Sequence, residues 1–142
     1  MSARAKACLT ALKTRLQSLA VSDVAVYTGR VIDPTQETLP VVTVHFRPDG
    51  ETLVSDTSYH TQQMRLALVI ELWARVDVDN PLMDLEDLDS LLRAAVIDGD
   101  DETLGKTAYR TSFARRRSLV PEEHDNIGCV QLELDVYYIE EY

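Results

Sequence analysis

Apolar and polar residues alternate along segment 127–139 of the chain. The odd positions from 131 to 137 carry Gln131, Glu133, Asp135 and Tyr137, whereas the even positions from 130 to 138 carry Val130, Leu132, Leu134, Val136 and Tyr138. A period of two is typical of a β-strand with one face packed and the other exposed. The pattern therefore predicts a strand that packs one face against a hydrophobic core and exposes the other.

Segment 63–76 shows the same alternation, with even positions that are apolar from Met64 to Ala74. This segment predicts a long central strand. Weaker strand patterns occupy 24–27, 41–46 and 106–118. Pro48, Asp49 and Gly50 are typical turn residues, and we expect the second strand to end there. The polar segment that follows predicts a projecting loop or hairpin at about 47–62.

Two segments have helical rather than strand periodicity. Apolar residues recur every three or four positions between Ala3 and Leu19, which predicts an amphipathic helix. Asn80 followed by Pro81 predicts the start of a second helix, which ends near the acidic run 98–101. The predicted buried stripe of this helix consists of Leu82, Leu85, Leu88, Leu91, Leu92 and Val96.

The order of these elements is helix, strand, strand, long strand, helix, strand, strand. It predicts an α+β fold, with a mostly antiparallel four- to five-stranded sheet and two helices packed on one face. The 142 residues suit a single domain, 1–142.

Charge restricts the classes of partner. The net charge is −10 and the isoelectric point is near 4.6, which argues against non-specific binding of nucleic acid. Segment 106–117 nevertheless carries five basic residues and no acid, whereas 77–102 carries ten acids and one arginine. Blocks of opposite sign suit copies of the chain that bind side by side; the alternative is that they are solvated faces. No uncharged apolar stretch is long enough to cross a membrane, so we expect a cytoplasmic protein.

The sequence contains no convincing catalytic cluster. His45, His60 and His124 are not spaced as metal ligands, and no glycine-rich phosphate loop is present. Cys8 and Cys129 lie 121 residues apart, and we expect free thiols rather than a disulfide. We therefore expect no catalytic residue, cofactor or metal, and the sharpest local feature is the run of three arginines at 115–117.

The whole chain resembles the tail terminator proteins, minor tail protein U type, of long-tailed bacteriophages. The resemblance rests on the order and spacing of four parts. They are a short helix that runs into 24–30, the strand pair 39–44 and 65–73, the helix 85–92, and the closing strand 126–138.

The resemblance implies a structural virion protein with no enzymatic activity. Such proteins form a homohexameric ring that caps the tail tube, stops its polymerisation and presents a docking face for the head connector. The expected partners are copies of the chain, the tail tube protein and the connector or neck protein, with DNA passing through the lumen without specific binding and no membrane. The expected location is the top of the virion tail, at the neck, after assembly in the host cytoplasm.

Within this hypothesis, three groups of residues receive roles. For the contact between subunits we predict Arg115, Arg116 and Arg117 together with Asp98, Asp100 and Asp101. For the contact with the tube we predict Arg47, Asp49, Glu51, Asp56 and Tyr59. For the surface that faces DNA we predict Glu133, Asp135 and Glu140. The alternatives are a neck or head–tail joining protein, a small soluble hydrolase, and a monomeric adaptor.

Overall fold

The structure is a computed structural model that describes residues 2–19, 24–58, 60–77, 79–97, 103–105, 108–119 and 126–141, without the side chains of 35 and 56–58. The described elements are α1 (Ala3–Gln17), β1 (Ala25–Thr28), a 3₁₀ turn (Pro34–Gln36), β2 (Val41–Ser58), β3 (Thr61–Arg75), α2 (Pro81–Val96), β4 (Arg110–Leu119) and β5 (Ile127–Glu141). Their order along the chain is the order that the sequence predicts.

The strands form one five-stranded sheet in the order β1-β2-β3-β5-β4. β3 pairs with β2 and β5 on its two sides, and all neighbours are antiparallel except β1 and β2, which are parallel. The ladder between β3 and β5 runs without interruption from Thr61–Glu141 to Arg75–Ile127. The predicted α+β class with a mostly antiparallel sheet is therefore confirmed.

Both helices lie over the face that carries the even-numbered residues of β3 and β5. Leu66, Leu68, Ile70 and Leu72 of β3 are paired with Val136, Leu134, Leu132 and Val130 of β5, and all eight are buried. The helices contribute Ala5, Cys8, Leu12 and Leu16 from α1, and Leu85, Leu92 and Val96 from α2. We refer to this side of the sheet as the helix face and to the other side as the open face.

Helix boundaries and burial differ from the predictions in two places. α1 ends at Gln17 rather than Leu19, and its start is capped by Ser2, whose Oγ accepts a hydrogen bond from the backbone N–H of Ala5. Leu82, predicted to be buried, is 64% exposed, and the neighbouring Met83 is 65% exposed, so the first turn of α2 does not pack into the core. Asp89 is buried in α2 instead.

The predicted turn at Pro48-Asp49-Gly50 is a bulge within β2, so the prediction that the strand ends there is wrong. Phe46 pairs with Leu68 and Glu51 pairs with Leu66, so five positions along β2 match two along β3. Pro48 has no N–H for the ladder, and Gly50 has a φ of +50°, which glycine adopts without strain. The turn residues therefore deform the strand without ending it, and β2 continues to a hairpin with β3.

Candidate functional site

The three consecutive arginines of β4 are divided between the two faces of the sheet. A bulge at Ala114 shifts the register, so that Arg115 lies opposite Glu133, Arg116 opposite Leu132 and Arg117 opposite Gln131. Arg115 and Arg117 consequently lie on the open face, and Arg116 lies on the helix face. The run of three is thus two separate features in the folded chain.

Arg116 is held by a carboxylate of its own chain. Its Nη1 donates to Asp89 Oδ2 at 3.0 Å, and Arg93 Nε donates to the same oxygen at 3.0 Å. The Asp89 side chain is only 5% exposed, whereas that of Arg116 is 55% exposed. This arrangement ties α2 to the outer strand through two charge-assisted hydrogen bonds to Asp89 Oδ2, whereas the buried Oδ1 has no hydrogen-bond partner among the described residues.

A chain of polar side chains crosses the open face from Arg117 toward β2. Arg117 donates from Nε and Nη2 to Gln131 Oε1 at 3.2 and 3.0 Å, and Gln131 Nε2 donates to Glu71 Oε2 at 3.0 Å. His45 Nε2 lies 3.8 Å from Glu71 Oε1.

The Cys129 thiol lies beside this chain of side chains. Its burial, and to a smaller extent the neighbouring Glu71, raise its pKa above the ordinary value. Cys129 is therefore a protonated, packed thiol rather than a nucleophile.

A second charged cluster lies further along the same face, beside the β2 bulge. Arg47 donates to Asp135 Oδ1 and to the backbone oxygen of Leu134, the latter at 3.1 Å. Arg65 donates to Asp49 Oδ2, and its Nε lies 3.9 Å from Asp135 Oδ1. The bulge thus places Arg47 and Asp49 where they bridge β2, β3 and β5 within one subunit.

The other residues predicted to contact the tube are dispersed. Glu51 lies on the helix face, where it accepts a hydrogen bond from the buried Tyr138 hydroxyl. The burial of Tyr138 is the larger cause of its raised pKa, and the bond to Glu51 is the next. Asp56 lies in β2 opposite Gln62, but its side chain and all of Tyr59 are outside the described residues.

The three acids predicted to face DNA do not share a surface. Glu133 and Asp135 lie on the open face, with Glu133 Oε2 4.0 Å from Arg47 Nη1. Glu140 lies on the helix face, where it borders a groove beside the first turn of α1. The acids predicted to meet the arginines of a neighbouring subunit, Asp98, Asp100 and Asp101, are outside the described residues.

Two residues that form ion pairs in the structure, Asp89 of α2 and Arg65 on the open face, were not predicted from the sequence. Asp89 lies among the leucines of α2, and its position four residues before Arg93 was the available signal for an ion pair along the helix. Arg65 alternates with the apolar residues of β3, which indicates its face but not its partners. No group of three or more potential metal ligands occurs among the described residues, and no described helix is long and apolar enough to span a membrane.

The fold is similar to that of a chain in a solved particle. No family model matches the sequence, and no curated protein matches it either. A comparison with solved structures finds a chain of the virion of a native gene transfer agent particle, with a TM-score of 0.52 and 15% sequence identity. The match covers 99% of this chain and 99% of that chain. At this identity the match shows a shared fold over the whole length.

Proposed function

We propose that this chain is a structural protein of a virion and that it acts as a tail terminator. Copies of the chain form a hexameric ring that caps the tail tube, stops its polymerisation and presents a docking face to the head connector. The observation that carries the proposal is the fold shared over 99% of both chains with a component of a gene transfer agent virion. The sequence resemblance to tail terminators supplies the more specific role.

The distribution of charge supports a ring built from head-to-tail contacts. Such a ring needs two different surfaces on each subunit that are complementary to each other. β4 is an outer strand of the sheet and carries four arginines with no acid. Arg115 forms no ion pair with any described residue, and Arg117 bonds only to the neutral Gln131 among them. We infer that these two side chains meet carboxylates of the next subunit.

The remaining proposed contacts are restricted by the intramolecular bonds. Arg116 is held by Asp89, and Arg47 and Asp49 bind partners within the subunit. The contact with the tube is therefore proposed for the end of the β2–β3 hairpin, near Asp56 and Tyr59. The open face, with Glu133 and Asp135, is the surface that we propose to face DNA. Arg47 contacts both carboxylates and neutralises part of their charge, so their repulsion of the passing phosphates is weakened.

Two measurements test the proposal: sedimentation velocity over a concentration series, and then negative-stain imaging with purified tail tubes. We expect rings of one size, either free or at tube ends, and tubes that no longer elongate. Arg115→Glu combined with Arg117→Glu should abolish ring formation. The matched control is Arg4→Glu with Lys6→Glu, which reverses two exposed charges on α1 and should leave the ring intact.

A monomer that ignores tubes at every concentration would refute the terminator role. A ring that binds the head connector but never the tube would instead identify a neck or head–tail joining protein of the same particle.

A further inference from the structure

Each of the two borders of the sheet has a stretch of backbone without a strand neighbour among the described residues. At one border, β1 pairs with β2 only from Val41 to Val44, so segment 45–58 of β2 has no strand neighbour on that side within the described part of the chain. β4 pairs with β5 and forms the opposite border of the sheet. The backbone N–H and C=O groups along such borders can pair with a strand of another chain.

The two borders have opposite charge. β4 contains four arginines and no acid, a charge of +4. Segment 45–58 contains Arg47 against Asp49, Glu51 and Asp56, which is one positive and three negative charges, or −2 with His45 neutral. Pairing of β4 with β4 would place arginines against arginines, which is unfavourable. Pairing of β4 with β2 brings opposite charges together.

The β2 border also exposes apolar side chains. Phe46, Leu53 and Val54 are 50%, 53% and 47% exposed, respectively. A groove of about 180 Å³ adjoins Phe46, and Leu9, Val44 and Leu68 contribute to its walls. Exposed apolar residues next to an unpaired border indicate a surface that another protein covers.

The direction of the two strands suits a ring. β2 is antiparallel to β3, β3 to β5, and β5 to β4, so β2 and β4 of one subunit run in opposite directions. Rotation about an axis along the strands preserves their direction. A neighbouring copy therefore presents its β4 antiparallel to β2, which is a regular sheet arrangement.

We propose that β4 of one copy pairs antiparallel with segment 45–58 of β2 in the next copy, so that the sheet continues from subunit to subunit. The inference deepens the proposed function and rests on it, since it specifies how the ring closes. Both borders carry bulges: β2 has three, at Pro48-Asp49-Gly50, at Val54 and at Thr57, and β4 has one at Ala114. These bulges limit the ladder to short runs and oppose pairing with unrelated strands.

Paired cysteines test this contact directly. Val54 and Ala114 are exposed and have no Cα partner in the neighbouring strand, so Val54→Cys and Ala114→Cys leave the internal ladders unchanged. The native Cys8 and Cys129 are both 1% exposed and should not react. The probe is a short bifunctional maleimide, applied to the folded protein at the concentration where sedimentation shows association.

We expect each single variant to remain uncross-linked and a mixture of the two to give a covalent dimer. The double variant should give a ladder of oligomers that ends at the ring. Val54→Cys combined with Lys6→Cys, on α1, is the matched control and should give no ladder. In the unmodified protein, amide hydrogen exchange at 45–55 and 110–119 should slow at least tenfold when the ring forms.

Two outcomes would overturn the edge pairing while leaving the proposed function intact. One is a ring, shown by sedimentation and imaging, in which the double variant forms no ladder and the two segments gain no protection. The other is a dimer from Ala114→Cys alone, which would show that β4 pairs with itself. Absence of any ring, with or without tubes, would refute the proposed function as well.

Discussion

Arg115 and Arg116 are adjacent in sequence, yet their replacement by alanine should affect different properties. Arg116→Ala removes a bond to the buried Asp89, whereas Arg115→Ala removes a side chain with no ion-pair partner among the described residues. We expect Arg116→Ala to lower the free energy of unfolding. We expect Arg115→Ala to leave it unchanged and to weaken ring formation.

The magnitude follows from the exposure of the two partners. A hydrogen bond to a charged group contributes about 1.5–3 kcal/mol to stability, and an exposed ion pair contributes roughly 0.2–1 kcal/mol. Asp89 is 5% exposed and Arg116 is 55% exposed, so the loss should be about 1 kcal/mol. Asp89→Ala also removes the bond to Arg93 and should cost about 2 kcal/mol. Arg115→Ala should stay within about 0.5 kcal/mol.

Urea unfolding, followed by circular dichroism, measures these differences. A loss of 1 kcal/mol lowers the midpoint by roughly 0.5–1 M in urea. The double variant Asp89→Ala with Arg116→Ala completes a cycle whose coupling energy should be about 1 kcal/mol. Equal losses for Arg115→Ala and Arg116→Ala, or a coupling energy near zero, would contradict the division of the arginines between the two faces.

Other predictions concern the core. Gly128→Ala should cost about 1–3 kcal/mol in thermal or urea unfolding, because the new Cβ would lie 2.9 Å from Leu85 Cδ2 in a filled core; an unchanged midpoint would show that α2 moves aside freely. Because folding raises the pKa of Cys129 and Tyr138, the folded chain holds these protons more tightly, and stability should fall as the pH rises above about 9. Tyr138→Phe should reduce this loss of stability at alkaline pH. If the variant and the unmodified protein lose stability equally with pH, ionisation of Tyr138 is not the cause. A thiol reagent such as DTNB should modify Cys129 only after unfolding; rapid modification of the native protein would contradict its burial.

The sequence was sufficient for the fold class because the buried faces of β3 and β5 are almost purely apolar at a period of two. The bulge at Pro48-Asp49-Gly50 could not be distinguished from a turn, since the same residues suit both and only the pairing with β3 decides. The exposure of Leu82 was equally invisible, because its spacing fits the apolar stripe of α2 and only the packing of the first turn decides its burial.

The candidate site was less predictable than the fold. The sequence marks 115–117 as a cationic run, but the division between faces depends on the bulge at Ala114, which has no sequence signature of its own. The predicted set Glu133, Asp135 and Glu140 fails to form one surface because odd and even positions of a strand point to opposite sides. Burial of Asp89 depends on Arg116, which is 27 positions away in the sequence.

The uninterrupted ladder between β3 and β5 has a consequence for how the protein is made. Its partners are separated by 52 positions at Arg75–Ile127 and by 80 positions at Thr61–Glu141. During translation, the apolar β3 therefore cannot pair with β5 until α2 and β4 have been synthesised. Such long-range pairing slows folding and leaves a strand border available for aggregation. Recombinant yield should consequently depend on slow, cool expression or on chaperones that shield nascent β3.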